Sequence, residues 1–174
     1  MPHSIQRQIV FSREWAMPSP QTFSIAPISA LLDRWLNGAA IVVDPFSGSS
    51  VRASHRNDLA GGMDAEEYCR ALFDQGVAAE AVLFDPPYSP RQISEVYRSV
   101  GLKVGVSETQ NGSLYKRVRD ALDAILLPGG LAISFGWNSA GFGKLRGYAI
   151  EEVMLVAHGG GHNDTIVVVE RKLA

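Results

Sequence analysis

The chain has 174 residues, of which 46% are hydrophobic and 20% charged, which suits one globular domain and excludes a low-complexity or disordered polymer. Its net charge of -2 gives no global basic signature, so any hold on nucleic acid has to come from a local patch. No apolar run is long enough to span a bilayer, and the N-terminus MPHSIQRQIVFSREW lacks the apolar stretch of a signal peptide. Both features point to a cytoplasmic protein with no membrane partner.

In chain order, residues 1–20 read as an N-terminal extension, linker-like and only partly ordered, ahead of one domain over residues 21–174. Ile28, Leu31, Leu32 and Trp35 fall at helical spacing and predict a helix over 27–35. The apolar run 39–43 predicts a buried strand ending at Asp44. A helix over 65–73 carries the single Cys69, which permits no intrachain disulfide and reads as a small buried side chain. The strand over 81–84 again ends in an acid, Asp85. Helices are expected over 91–100 and 114–127, the second closed by Pro128-Gly129-Gly130, before a strand over 131–135. Residues 152–157 and 165–170, joined by HGGGHND, predict a terminal hairpin. The alternation of short apolar runs with helical patterns predicts an α/β, Rossmann-like fold. Its sheet is mostly parallel, covered on both faces, and ends in a C-terminal antiparallel hairpin.

Ligands of open α/β sheets bind beyond the carboxyl ends of the strands, where both acid-ended turns would lie. In the first, Asp44-Pro45-Phe46-Ser47-Gly48-Ser49-Ser50, Gly48 would let the backbone approach a nucleotide-like ligand. In the second, Asp85-Pro86-Pro87-Tyr88, two prolines remove two amide donors. Carbonyl oxygens and the Asp85 carboxylate are then expected to point outward as acceptors for an N–H donor. Tyr88 adds a flat face on which a base can stack, a contact worth about 1–3 kcal/mol.

The pairing of DPFSGSS with LFDPPY resembles the amino-methyltransferases of DNA, above all the adenine-specific ones. More narrowly, TFSIAPI, LFDPPYSPRQI, SFGWNSAGFGK and HGGGHNDTIVVVERK resemble small stand-alone methyltransferase-like proteins common in phages and prophages, over residues 22–172. The resemblance implies a Rossmann-like methyltransferase sheet and S-adenosylmethionine as donor, bound at Asp44, Pro45, Phe46 and Gly48. It implies a catalytic loop of Asp85, Pro86, Pro87 and Tyr88, and transfer to N6 of adenine in DNA. It also implies an acid on the donor ribose, for which Asp58 is the candidate, only 14 residues after Asp44 (58 − 44), so that any intervening helix must be very short. Asp64 matches the residue that contacts the donor adenine, or is a helix N-cap with Glu67 at the third helical position. Phe23 is a wall for the methionine part of the donor, or an apolar anchor for the first helix. Ser50 stands where the family often has glycine.

Trp137 and Asn138 follow the strand ending at Phe135, as base wall and hydrogen-bonding group or as packing. His158 and His162 flank three glycines, a poor frame for metal ligands, so no metal is expected and the loop reads as one that closes over substrate. Arg91, Arg98, Lys103, Lys116, Arg117 and Arg119 make the region around an insert at 101–112 locally basic, and Lys116 and Arg117 are candidate nucleic-acid contacts. Flipping a base from a duplex requires surface to grip the strand. So small a chain is therefore expected to work on nucleic acid, foremost DNA, as a homodimer or beside a separate recognition subunit. The rival readings are an RNA base amino-methyltransferase and a catalytically inactive donor-binding subunit.

Overall fold

The computed structural model describes residues 8–61, 63–87, 98, 101 and 112–174. Seven strands form one sheet: β1 (Val10–Trp15), β2 (Val42–Asp44), β3 (His55–Arg56), β4 (Ala79–Phe84), β5 (Leu126–Gly136), β6 (Tyr148–Ala157) and β7 (Thr165–Lys172). They lie in the order β1-β6-β7-β5-β4-β2-β3. Only β7 is antiparallel to its neighbours, β5 and β6, and every other pairing is parallel. The carboxyl ends of β2, β4, β5 and β6 therefore share one edge, where the two acid-ended turns meet. This is the mostly parallel sheet with a terminal hairpin that the sequence predicts.

Apolar runs such as β4, buried at five of six positions, form strands because both faces are covered. On one face α1 (Ala26–Trp35) packs Ile28, Leu31 and Leu32 against Leu83, Ile133 and Val167. On the other, α2 (Ala65–Asp74) and α3 (Gly112–Ile125) pack Cys69, Leu72, Val118 and Leu122 against Val43, Val82 and Ala132. Burial pushes the Cys69 thiol up to about 12, so it stays protonated and inert. Among the described residues, no helix is long and apolar enough to cross a membrane.

Several expectations are corrected. The N-terminal extension contributes β1, which adds in parallel to β6 at the sheet edge. Between β2 and β3 there is no helix: residues 45–54 form turns, tied by Asn57 N–H to the Asp44 carbonyl and Ser47 N–H to the Asn57 carbonyl. A stretch with one proline, one glycine and four serines offers the backbone side-chain hydrogen bonds in place of helical ones. The helix predicted over 91–100 lies outside the described residues, except for Arg98.

Pro128-Gly129-Gly130 does not close α3, because the helix ends at Ile125 and β5 begins at once. The three residues bulge within the strand, where pairing steps from Ala79↔Leu126 to Ala81↔Leu131. Gly129 takes φ +80, and a Cβ on Gly130 would stand 2.8 Å from the Leu127 carbonyl and 3.0 Å from that of Glu80. The Leu126 side chain, 2.7 Å away, can give way, but these two carbonyls are backbone. Gly130→Ala is therefore expected to destabilise the protein by about 1–3 kcal/mol, read from chemical denaturation.

Candidate functional site

The turn after β2 is built around a buried carboxylate. Asp44 is fully buried; its Oδ1 accepts the Phe46 N–H at 3.0 Å, and its Oδ2 has no hydrogen-bond partner among the described residues. Burial pushes the carboxyl up to about 7; the Phe46 N–H opposes the rise and the neighbouring Asp85 adds to it. The Asn57 side chain donates to the carbonyls of buried Pro45, at 3.4 Å, and Met63, at 3.0 Å. Gly48 adopts φ +51 at the exposed tip, with open space where a side chain would stand. Ser50, the departure from the family pattern, accepts the Arg52 N–H and is folded back into the same turn.

The turn after β4 rests on an aromatic hub. Phe84 meets Phe46, Tyr115 and Phe142 edge-on, with ring centres 5.7, 6.1 and 5.9 Å apart, which fixes the point where Asp85 leaves the strand. Asp85 is half-buried and Pro86 buried. The Pro87 carbonyl is not the free acceptor that the two prolines suggest, because the Tyr115 hydroxyl donates to it. Tyr88 lies outside the described residues.

Two cavities flank this turn. The first, of about 330 Å³, is lined by Phe23, Phe46, Gly48, Arg52 and Asp85, which come from three separate segments. Asp44 lies one hydrogen bond behind its wall, through Phe46. The second, of about 180 Å³, is lined by Pro86, Tyr115, Arg119, Ser134, Trp137 and Asn138. The Asp85-Pro86 peptide separates them.

Phe23 lines the first cavity and packs on Phe135 of β5, with ring centres 4.8 Å apart. Asp64 is the N-cap of α2, accepting the N–H groups of Glu66 and Glu67, with both glutamates favourably placed in the first turn. Asp58 stands just beyond β3, its Oδ1 accepting the Gly61 N–H at 2.7 Å, and it does not line the first cavity. Lys116 and Arg117 line neither cavity. Lys116 pairs with Asp120 at 2.6 Å and Arg117 with Glu66 at 2.7 Å, so both charges are engaged along the helices.

Asn138 Oδ1 accepts the Ala140 N–H, and Trp137 is 44% exposed at the mouth of the second cavity. His158 is a buried tie: one ring nitrogen meets the Ala16 carbonyl at 2.8 Å and the other the Thr165 hydroxyl at 2.9 Å. It anchors the glycine loop to β7 and to the segment after β1.

Sequence reasoning missed the roles of Arg119 and Glu170. Glu170, on β7, is almost fully buried and accepts the N–H groups of Phe142 and Gly143, which fixes the loop after Asn138. The one available signal was an acid inside the apolar run TIVVVE.

No protein-family model and no curated protein matches the sequence. Solved structures match in fold. TrmN from Thermus thermophilus superposes with a TM-score of 0.50 at 19% identity, over 86% of this chain and 49% of that one. SMU.776 in complex with SAH gives 0.49 at 15% identity, over 92% and 44%. NSun6 from Pyrococcus horikoshii with SFG gives 0.47 at 15% identity, over 97% and 49%. The chain thus spans about half the length of each. The likeness to TrmN shows the fold alone, a mostly parallel Rossmann-like α/β sheet.

Proposed function

We propose that the chain binds S-adenosylmethionine in the first cavity and transfers its methyl group to the exocyclic amino group of a nucleic-acid base. The observation that carries this reading is the gathering of Phe23, Phe46, Gly48 and Asp85 around one cavity at the carboxyl edge of the sheet. The residues fit the donor. Gly48 leaves room for close approach, Phe23 and Phe46 supply apolar walls, and Asp44 places a negative charge behind the wall for a ligand that carries a sulfonium and an ammonium group.

The bound donor supplies an activated methyl group, so the protein's part is alignment rather than acid–base chemistry. Asp85 and the Pro86 carbonyl accept hydrogen bonds from the target amino group. They draw its nitrogen out of conjugation and toward the methyl, and Tyr88 takes the stacking role that the family resemblance gives it. Grip on the flanking strand is assigned to a second copy or a separate recognition subunit, because so small a chain has little surface to spare for it. The resemblance implies N6 of adenine in DNA as target.

The test is a tritiated-methyl transfer assay on duplex DNA, single-stranded DNA and RNA, with mass spectrometry of the digested nucleosides. Label on a base amino nitrogen is the expected outcome. Donor binding without transfer to any nucleic acid would favour an inactive donor-binding subunit.

A further inference from the structure

The second cavity holds a cation that nothing in the proposed chemistry yet uses. Arg119 is about half-buried on α3, stacked over the Phe84 ring with its guanidinium carbon 5.3 Å from the ring centre. Its Nη1 donates to the Gly141 carbonyl at 2.9 Å and its Nε to the Tyr115 carbonyl at 3.3 Å. Among the described residues it makes no ion pair. The nearby acids are engaged elsewhere: Asp120 with Lys116 and Arg146, and Glu170 with two backbone N–H groups. Asp120 and Glu170 attract it from a distance without touching it, and a guanidinium cannot lose its proton, so Arg119 keeps donor capacity beside an open cavity.

The rest of the lining selects the shape of what enters. Phe84, Tyr115, Phe135 and Trp137 provide flat apolar walls, which suit a planar ring. Ser134, also on the lining, has a buried hydroxyl with no hydrogen-bond partner among the described residues. A slot with aromatic walls, a fixed cation and an unused hydroxyl calls for a planar ligand that offers an acceptor oxygen.

We infer that this cavity receives the target base and that Arg119 selects a base carrying a ring carbonyl as well as an amino group, which means guanine or cytosine rather than adenine. The inference rests on the proposed methyl transfer and names its substrate. Pro86 lines this cavity while Asp85 lines the other, so a base seated here presents its edge to the same turn that faces the donor. With the amino group of guanine or cytosine at that turn, a carbonyl oxygen remains for Arg119; arginine on guanine O6 and N7 is the commonest specific base contact. With the amino group of adenine there, only single ring nitrogens remain as acceptors, a weaker match for a guanidinium than a carbonyl oxygen.

The test uses the full chain, S-adenosylmethionine and uridine-rich RNA or thymidine-rich DNA strands carrying a single guanine, cytosine or adenine. Initial rates are measured and the methylated nucleoside identified by mass spectrometry. The expected product is N2-methylguanine or N4-methylcytosine, the separate strands telling the two apart. Arg119→Gln should then lower kcat/KM on the favoured strand about 10- to 100-fold, with Arg119→Lys retaining part of the activity and donor affinity unchanged. N6-methyladenine as the main product would overturn the inference and leave amino-group transfer standing. Equal losses on all three strands in Arg119→Gln would also overturn it, by showing a structural role. No methylated base on any strand would overturn the proposed function and the inference with it. The comparison of strands by the unsubstituted protein decides the matter even if the variants fail to fold.

Discussion

Asp85→Ala is expected to slow methyl transfer by about 10²- to 10³-fold, the loss typical of removing one positioned group that stabilises a transition state. Asp85 follows the end of β4, half-buried beside the aromatic hub of Phe84. Donor affinity should change far less than the transfer rate, because Asp85 is one of several residues lining the first cavity. Because Asp85 helps to raise the Asp44 carboxyl, its removal should also move the pH midpoint of donor binding downward. Single-turnover rates beside calorimetric donor titrations separate the two effects. Near-normal turnover in Asp85→Ala would remove the amino-group role.

The second large effect is a dependence on pH centred on Asp44. Its carboxyl titrates at about 7 in the folded protein, against an ordinary value of 3.8. A raised acid means that folding takes up a proton between those values. The cost is absent below about pH 4, grows as the pH rises, and is complete above about pH 7, where at 1.36 kcal/mol per pH unit it is on the order of 4 kcal/mol. Asp44→Asn removes the charge but buries an amide needing a partner, at about 1–3 kcal/mol. The stability of the variant relative to the native protein should consequently rise between pH 5 and pH 8. Donor binding should show the reverse dependence in the native protein. Affinity weakens as the pH falls below about 7, by up to about tenfold per pH unit, and that dependence should be absent in Asp44→Asn, which should also bind more weakly throughout. Glu170, raised by burial, contributes to both proteins alike and cancels from the comparison. A donor affinity flat from pH 5 to pH 8 would show that the Asp44 charge takes no part.

What the sequence made legible follows from burial. Strands covered on both faces are unbroken apolar runs, so β2 and β4 stand out, and the acid at the end of each run marks the carboxyl edge, although Asp44 is itself buried there. Asp44 and Asp85 were visible for that reason. The strand β1 was not, because VFSREW at a sheet edge is exposed at five of six positions and needs no apolar pattern. The Pro-Gly-Gly signal marked a real irregularity but not its type, since a helix stop and a strand bulge call for the same residues. Pairings across the chain were beyond reach. The Pro87 carbonyl is taken by Tyr115, 28 residues away, and the charge of Arg117 by Glu66, 51 residues away. Arg119 looked like one more surface cation beside Lys116 and Arg117. Only the meeting of β4, α3 and the loop at Gly141 sets it against a cavity.

Calorimetric titration of the full chain with S-adenosylhomocysteine tests the account at its root, because the site, the mechanism and the choice of base all depend on that cavity. The account predicts saturable binding with one ligand per chain, lost or strongly weakened when a bulky side chain fills the open space at Gly48, as in Gly48→Val. No heat of binding up to millimolar ligand in a folded protein would contradict it.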